Sequence, residues 1–195
     1  MKNITTVILA AGRSTRFKSN KSKLSHELAG LPIVCHVFNT AKKISGKNII
    51  VVCNKENYEE LKKILKGCKF VVQKFQKGTA DAIEKAKTHI KTDNFIILFG
   101  DVPLIKDNSF NRLLRSLKSN VSASMIAFKS SNPQGYGRVV LSNNKVERVV
   151  EEINLTTSEK LIDLCNSGIM LVNKSFFFKN IKLIKYNKKK KERYL

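Results

Sequence analysis

The sequence is poor in acidic residues, in cysteine motifs and in long apolar runs. Only 15 Asp and Glu residues stand against 37 Lys and Arg residues, and the 195-residue chain has a formal net charge of +22. No apolar stretch approaches the ~20 residues that cross a bilayer, and the first residues begin a strand where a signal peptide would need a charged region and an apolar core. The four cysteines form no Cys-x-x-Cys pair, which argues against a zinc site and against a disulfide framework. These absences predict a cytoplasmic protein with no membrane partner.

The positive charge lacks the pattern that nucleic-acid recognition needs. Seven of the 37 basic residues are Arg, and the lysines are spread along the whole chain. Reading of base edges and bidentate contacts to phosphate favour Arg, while single-strand binding needs aromatic side chains interleaved with basic ones. The composition therefore favours solvated, lysine-rich faces over a specific nucleic-acid partner, and nonspecific attraction to polyanions stays open as the alternative.

Strand and helix patterns alternate along the first half of the chain. Apolar runs predict strands at residues 4–9, 48–53, 69–72 and 95–99. Helices are predicted at about 32–44, 57–65, 79–87 and 109–117. Such alternation is typical of an α/β protein with a mainly parallel sheet flanked by helices.

The later part of the chain is richer in strands. Strand patterns occur at 122–128, 138–141, 146–150 and 169–172, with a hairpin turn at 142–144 and a helix at 175–184. The hydrophobic content is 42%, and neither an internal repeat nor a long linker is found. The sequence therefore predicts one domain over residues 1–195, with a nucleotide-binding half followed by a β-rich, substrate-shaping half.

A small-residue loop with basic neighbours follows the first predicted strand. Ala10, Ala11 and Gly12 let the backbone approach a ligand closely and offer N–H groups to phosphate oxygens. Arg16 and Lys23 bring positive charge to the same place. The pattern indicates a nucleoside triphosphate site, and an ordinary strand-to-helix turn with solvated basic residues is the alternative.

A second polar cluster follows the strand predicted at 95–99. In an open parallel sheet, ligands bind beyond the carboxyl ends of the strands, near the point where strand order reverses. Asp101 lies at such an end, and its carboxylate could hold Mg²⁺ together with triphosphate oxygens. The alternative is an Asp that only shapes a tight turn before Pro103.

Six motifs in order carry a resemblance to a known family. They are LAAGRSTRF followed by Lys23, then QKFQKGTA, LFGDVPLI, NPQGYGRV, VVEE and CNSGIM. Together they resemble the N-acetylglucosamine-1-phosphate uridylyltransferases, which form the N-terminal half of the bacterial bifunctional GlmU enzymes, and the likeness runs over nearly the whole chain. The LAAG and GD elements alone are typical of the wider sugar nucleotidyltransferase superfamily with its MobA-like members. The QxxxxGT, GYGR and NSGI elements narrow the resemblance to the uridylyltransferases.

The resemblance implies a fold, a reaction and a site. The fold would be a Rossmann-like nucleotidyltransferase domain, and the reaction would be uridylyl transfer from UTP to N-acetylglucosamine 1-phosphate, a step towards peptidoglycan and lipopolysaccharide. Arg16, Lys23 and Asp101 would be catalytic, and Asp101 would hold Mg²⁺. The nucleotide would be bound by Leu9, Ala10, Ala11, Gly12, Lys23, Gln73, Gly78 and Thr79. The sugar would be bound by Gly135, Glu151 and Asn166.

The chain also departs from the family pattern. Ser14 stands where the loop usually has Gly, Ser22 where Pro usually precedes the lysine, and Phe99 where Tyr usually precedes Gly-Asp. Residues 192–195 resemble the start of an EYYLTD segment, whereas the asparagine that completes the family's metal site further along is missing, as are the hexapeptide repeats of its left-handed β-helix. These features predict a domain that is incomplete at its C-terminal end, without acetyltransferase activity and monomeric.

Two other functions stay open at this point. One is another NTP:sugar-phosphate or MobA-like nucleotidyltransferase, such as a molybdenum-cofactor guanylyltransferase or a cytidylyltransferase. The other is a non-catalytic binder of a nucleotide or a sugar phosphate. A panel of nucleotides separates the first from the uridylyltransferase, and release of pyrophosphate separates the second.

Overall fold

The computed structural model describes residues 3–12, 22–118, 121–187 and 192–195. The chain divides into two compact units: the first is Met1–Ser124 with Met170–Leu195, and the second is Met125–Ile169. The strands are β1 (Thr5–Ala10), β2 (Glu27–Leu28), β3 (Leu31–Pro32), β4 (Ile49–Cys53), β5 (Lys69–Val72), β6 (Asn94–Phe99), β7 (Ala123–Lys129), β8 (Arg138–Ser142), β9 (Lys145–Val150) and β10 (Leu164–Asn173). The helices are α1 (Ile33–Ser45), α2 (Tyr58–Ile64), α3 (Thr79–Ala86), α4 (Asp107–Ser116) and α5 (Lys174–Asn180).

A parallel sheet forms the centre of the first unit. Its strands lie in the order β5-β4-β1-β6, and Met170–Asn173 of β10 pair antiparallel to β6. The chain builds outward from β1 to β4 and β5, then returns through α3 to place β6 on the other side of β1. The order of the strands thus reverses between β1 and β6, which is where ligands bind in open α/β sheets.

The strands of this sheet are buried because helices cover them. Every residue of β1 and β4 is buried, as expected for parallel strands covered on both faces. Helix α1 buries Val34, Val37, Phe38 and Ala41, which recur every three to four residues along one helical face. On the other side, Phe177 of α5 packs edge-on against Phe95 of β6, with ring centroids 5.4 Å apart.

The second unit is a small β structure. Strands β8 and β9 form an antiparallel hairpin, and Cys165 of β10 pairs with Arg138 of β8. Asn143 and Asn144 both have positive φ angles, +48° and +59°, as a two-residue hairpin turn of type I′ requires. Few side chains of this unit are fully buried, and Val139, Cys165 and Ile169 are its buried apolar residues.

The sequence-based fold prediction is confirmed: the protein is a Rossmann-like α/β protein, and its later part is β-rich as expected. Each predicted helix and strand is present, with ends shifted by a few residues at most sites; the strand predicted at 169–172 begins earlier, at Leu164. The β2–β3 hairpin was not predicted, because two-residue strands carry too little pattern to detect. No helix among the described residues is both long and apolar enough to cross a bilayer.

Candidate functional site

A cleft of about 200 Å³ opens at the carboxyl ends of the parallel strands in the first unit. Strand β1 leads into Gly12, β5 into Gln73 and β6 into Asp101, so three predicted site residues follow strand ends at the same edge of the sheet. The predicted residues that line the cleft are Leu9, Ala10, Ala11, Gly12, Lys23, Gln73, Gly78, Thr79 and Asp101. Arg16 lies outside the described residues.

Two buried asparagines fix the small-residue loop after β1. Asn54 and Asn57 are 3% and 5% exposed, and each accepts a hydrogen bond from the other's backbone N–H through its side-chain oxygen, at 2.8 and 3.0 Å. Their amide nitrogens donate to the carbonyls of Ala11 at 3.2 Å and Ala10 at 2.8 Å. In a trans peptide, C=O and the next N–H point in opposite directions, so the N–H groups of Ala11 and Gly12 point away from the asparagines. Successive N–H groups in this arrangement suit an anion.

An ion pair joins two charged residues of the cleft, Lys23 and Asp101. Lys23 Nζ lies 3.0 Å from Asp101 Oδ2, and both side chains are 38% exposed. Lys23 begins a short 3₁₀ turn, and the side chain of Ser22 caps this turn by accepting a hydrogen bond from the N–H of Leu24 at 3.4 Å. Partly exposed pairs of this kind contribute little to stability, so both groups can exchange partners when a ligand arrives.

Gln73 is held at the cleft wall by acceptor groups. Its Nε2 donates to Asp81 Oδ2 at 2.7 Å and to the carbonyl of Gly78 at 3.2 Å. Gln73 and Asp81 are only 3% and 7% exposed. Gly78 has a φ of +98°, a backbone conformation that residues with a side chain rarely adopt. It is the N-cap of α3, which begins at the next residue, Thr79.

Residues 192–195 form a further wall of the cleft. The backbone of Arg193 forms two hydrogen bonds with the loop that contains Gly78. Its N–H donates to the carbonyl of Lys77 at 2.8 Å, and its carbonyl accepts from the N–H of Ala80 at 3.1 Å. The N–H of Leu195 donates to the hydroxyl of Thr79 at 3.0 Å. Glu192 and Tyr194 line the cleft directly. The approach of the Arg193 backbone leaves no room for a side chain at Gly78.

The predicted sugar-binding residues all lie in the second unit. Asn166 donates its backbone N–H to the carbonyl of Gly137 at 2.8 Å, and Glu151 Oε1 lies beside the same glycine. Gly135 forms the exposed turn just before it, with a φ of +87°. Asn166 Oδ1 accepts from the N–H of Gly168 at 2.7 Å, which leaves its amide NH₂ as a donor. The unit therefore brings Glu151 and Asn166 together at Gly137.

Several supporting residues were not predicted from the sequence. Arg138 is 2% exposed, donates to the carbonyls of Ile162 and Tyr136, and pairs with Glu152 at 2.8 Å. Asn54, Asn57 and Asp81 were also missed. A usable signal existed for the asparagines, because Asn-x-x-Asn directly after a buried strand is a pattern in which side chains bond to nearby backbone.

The cysteines take no part in the cleft. Burial raises the pKa of both Cys53 and Cys68 to about 11, and it also raises the pKa of Cys35 and Cys165. A thiol with a raised pKa stays protonated at neutral pH and is a poor nucleophile. The described residues also contain no group of three or more His, Cys, Asp or Glu side chains placed to hold a metal. The charged side chains that line the cleft in the described part of the chain are those of Lys23, Asp101 and Glu192.

The strand order defines a Rossmann-like α/β protein, and a cleft lies at the strand-order reversal, after β1 and β6. Residues 6–163 match the MobA-like NTP transferase domain, and the chain belongs to this family of nucleotidyltransferases.

Curated relatives are similar in sequence over most or all of the chain. A bifunctional protein GlmU from Buchnera aphidicola subsp. Schizaphis graminum is 41% identical over 88% of the chain and 38% of its own length. Those of Campylobacter fetus and Bartonella bacilliformis are 37% and 34% identical over the whole chain, which spans 45% and 44% of them. The chain thus spans less than half the length of these relatives.

A solved structure shares the fold. The crystal structure of a Bacillus anthracis protein assigned as a glucose-1-phosphate thymidylyltransferase, in complex with sucrose, superposes with a TM-score of 0.76 at 19% identity. The match covers 93% of this chain and 76% of that one. At this level of identity the likeness supports the fold alone.

Proposed function

We propose that this chain transfers a uridylyl group from UTP to N-acetylglucosamine 1-phosphate, giving UDP-N-acetylglucosamine and pyrophosphate. The observation that carries the proposal is the cleft at the strand-order reversal, which is lined by the small-residue loop, Lys23, Gln73 and Asp101. Membership of the nucleotidyltransferase family and the GlmU-like motifs support the same reaction.

The reaction needs no nucleophilic side chain. A phosphate oxygen of N-acetylglucosamine 1-phosphate attacks the α-phosphorus of UTP, the bond from that phosphorus to the bridging oxygen of the β-phosphate breaks, and pyrophosphate leaves. Because the attacking oxygen is already an anion, the protein contributes by positioning the reactants and by offsetting negative charge. The N–H groups of Ala11 and Gly12 and the ammonium of Lys23 are suited to that task.

The ion pair gives Lys23 and Asp101 a shared role. Lys23 exchanges Asp101 for phosphate oxygens when nucleotide binds, and this frees the Asp101 carboxylate. Mg²⁺ is commonly held by one or two carboxylates together with substrate phosphates and water, so a partly exposed carboxylate beside a phosphate-binding lysine fits a metal that arrives with the nucleotide. Bound there, Mg²⁺ would neutralise charge on the phosphate oxygens.

The second unit supplies groups for the amino sugar in this proposal. Within the described part of the chain, no hydrogen bond engages the carboxylate of Glu151, and Asn166 retains its NH₂ donors. A carboxylate and an amide match the hydroxyl and acetamido groups of N-acetylglucosamine. We expect Asn166→Ala to raise the KM for the sugar phosphate and to leave the KM for UTP unchanged.

The proposal is tested by release of pyrophosphate from UTP and N-acetylglucosamine 1-phosphate in the presence of Mg²⁺. We expect Asp101→Asn and Lys23→Gln each to lower kcat by at least about 100-fold, the range seen when one electrostatic contact to a transition state is removed. A matched control exists in the exposed pair of Lys43 and Asp107, whose N–O distance is 3.1 Å and which does not line the cleft.

The control variants Lys43→Gln and Asp107→Asn should retain wild-type rates. If UTP binds to the wild-type chain but no pyrophosphate appears at any Mg²⁺ concentration, the transferase proposal fails for this chain and a non-catalytic binder remains. If pyrophosphate appears faster with another nucleotide, the uridylyl assignment fails while nucleotidyl transfer stands.

A further inference from the structure

The amide of Gln73 has a fixed orientation in the cleft wall. Its two hydrogen-bond partners, the carboxylate of Asp81 and the carbonyl of Gly78, lie 2.7 and 3.2 Å from Nε2. Both partners are acceptors, so the nitrogen of the amide must face them. Both N–H groups are then engaged in hydrogen bonds, and Oε1 is the polar side-chain atom with which Gln73 can contact a ligand in the cleft.

We propose that Asp81 is a positioning residue that sets the base preference of the cleft by holding Gln73 with Oε1 towards the nucleotide. An acceptor at this place selects bases that present a ring N–H, such as uracil, over cytosine, whose corresponding ring nitrogen is itself an acceptor. This inference rests on the proposed function, because it specifies how that site reads the base.

The energetic argument depends on burial. Turning the amide over would place Oε1 against two acceptors in a site where Gln73 and Asp81 are almost completely buried. A buried polar group without a partner is strongly disfavoured, and a hydrogen bond to a charged carboxylate is about twice as strong as one between neutral groups. Asp81 lies in the first turn of α3, where the helix dipole favours a negative charge. The arrangement therefore holds one amide orientation and disfavours the other.

The decisive variant is Asp81→Asn, which keeps the shape but adds a donor. An asparagine can accept from Nε2 or donate to Oε1, so Gln73 gains access to the reversed orientation and can present N–H to cytosine. We expect the ratio of Kd for CTP to Kd for UTP, measured by titration calorimetry, to fall at least about fivefold. The matched control is Asp107→Asn, which also removes a carboxylate from the first turn of a helix but lies outside the cleft and should leave the ratio unchanged.

A double-mutant cycle isolates the route through Gln73. Gln73→Ala removes the amide that Asp81 is proposed to orient, so adding Asp81→Asn to Gln73→Ala should not change the CTP-to-UTP ratio further. A second measurement uses only the wild-type chain: UTP methylated at N3 lacks the ring N–H, and we expect it to bind at least about tenfold more weakly than UTP.

The outcomes separate this inference from the proposed function. Equal weakening of UTP and CTP in Asp81→Asn shows a structural role only and overturns the inference, as does an unchanged ratio. Binding of N3-methylated UTP as tightly as UTP overturns it even if Asp81→Asn does not fold. If the wild-type chain binds neither UTP nor CTP, the proposed function fails and the inference with it; if UTP binds and the ratio does not respond, the inference alone fails.

Discussion

In the first unit, buried polar side chains fix the residues around the cleft, whereas in the second unit main-chain contacts and exposed turns fix the predicted sugar-binding residues. Asn54, Asn57, Gln73 and Asp81 are each at most 7% exposed. Gly135, by contrast, lies in an exposed turn, and Asn166 is held by the carbonyl of Gly137.

The difference follows from the cores of the two units. A covered parallel sheet provides enough apolar surface to enclose a polar network, and a satisfied buried network holds one geometry strongly. The second unit has few buried apolar residues, and a buried arginine, Arg138, anchors its loops instead. We therefore expect substitutions around the cleft to be costly for binding and stability together, and those in the second unit to act more locally.

The largest effect is expected for Gly78→Ala. A Cβ at this residue would lie 2.6 Å from the backbone N of Arg193, and φ is +98°, so both the loop and residues 192–195 must shift. We expect the affinity for UTP to fall at least about tenfold and the free energy of unfolding to fall by about 3 kcal/mol.

The control for this prediction is Gly67→Ala, where φ is +78° and no atom lies within 4 Å of the added Cβ. This variant has the strain of a positive φ but no steric clash. We expect the free energy of unfolding to fall by about 1 kcal/mol and the affinity for UTP to stay unchanged. Equal effects of the two variants would show that residues 192–195 do not form a wall that matters for binding.

A somewhat smaller effect is expected for Asn57→Ala. The change leaves the carbonyl of Ala10 and the N–H of Asn54 without their partners in a buried place. Since unsatisfied buried groups cost about 1–3 kcal/mol each, we expect the free energy of unfolding in urea to fall by about 3 kcal/mol, together with weaker UTP binding. If the destabilised variant bound UTP with full affinity, the hydrogen bonds of Asn57 would contribute to stability and not to the geometry of binding.

The matching test in the second unit is Arg138→Met. The variant loses hydrogen bonds to the carbonyls of Ile162 and Tyr136, although Glu152 is 40% exposed and can be solvated. We expect the free energy of opening of residues 125–169 to fall by about 2 kcal/mol, which hydrogen exchange would show as faster exchange of their amides. Protection of the β1 and β4 amides should remain unchanged, and faster exchange there as well would remove the contrast between the units.

The smallest effect is expected at Glu159. The backbone N–H of Thr156, then its hydroxyl and the guanidinium of Arg148, lower the pKa of Glu159 from 4.5 to about 2. A folded-state pKa below the unfolded one gives stability that is present above pH 4.5 and is lost as the pH falls towards about 2. We expect the stability difference between wild type and Glu159→Gln to shrink over that range in urea titrations, and a constant difference would contradict the assignment.

Much of the fold was predictable because its signals are local. The apolar runs that became β1 and β4 and the spacing of apolar residues in α1 are visible in the sequence, and so is the Asn-Asn turn between β8 and β9. The order β5-β4-β1-β6 was not visible, since pairing depends on contacts between residues far apart in the chain.

The same distinction applies to the site. Motif resemblance predicted Lys23, Gln73 and Asp101, and all three line one cleft, while the roles assigned to them stay predictions. Asp81 could not be predicted, because its relation to Gln73 depends on the exact turn of α3 and on burial. Arg193 was missed for another reason, since its part in the site is played by backbone atoms that any residue carries.

The contact between Arg193 and the loop at Gly78 also bears on when the cleft is formed. The two segments are more than 100 residues apart in the sequence, so synthesis of the sheet strands β1, β4, β5 and β6 is complete long before the last wall is available. During synthesis on the ribosome, the sheet can therefore form before residues 192–195 add their wall to the cleft. Nucleotide binding would then require residues 192–195, and a chain stalled before residue 192 would present a folded sheet without a closed site.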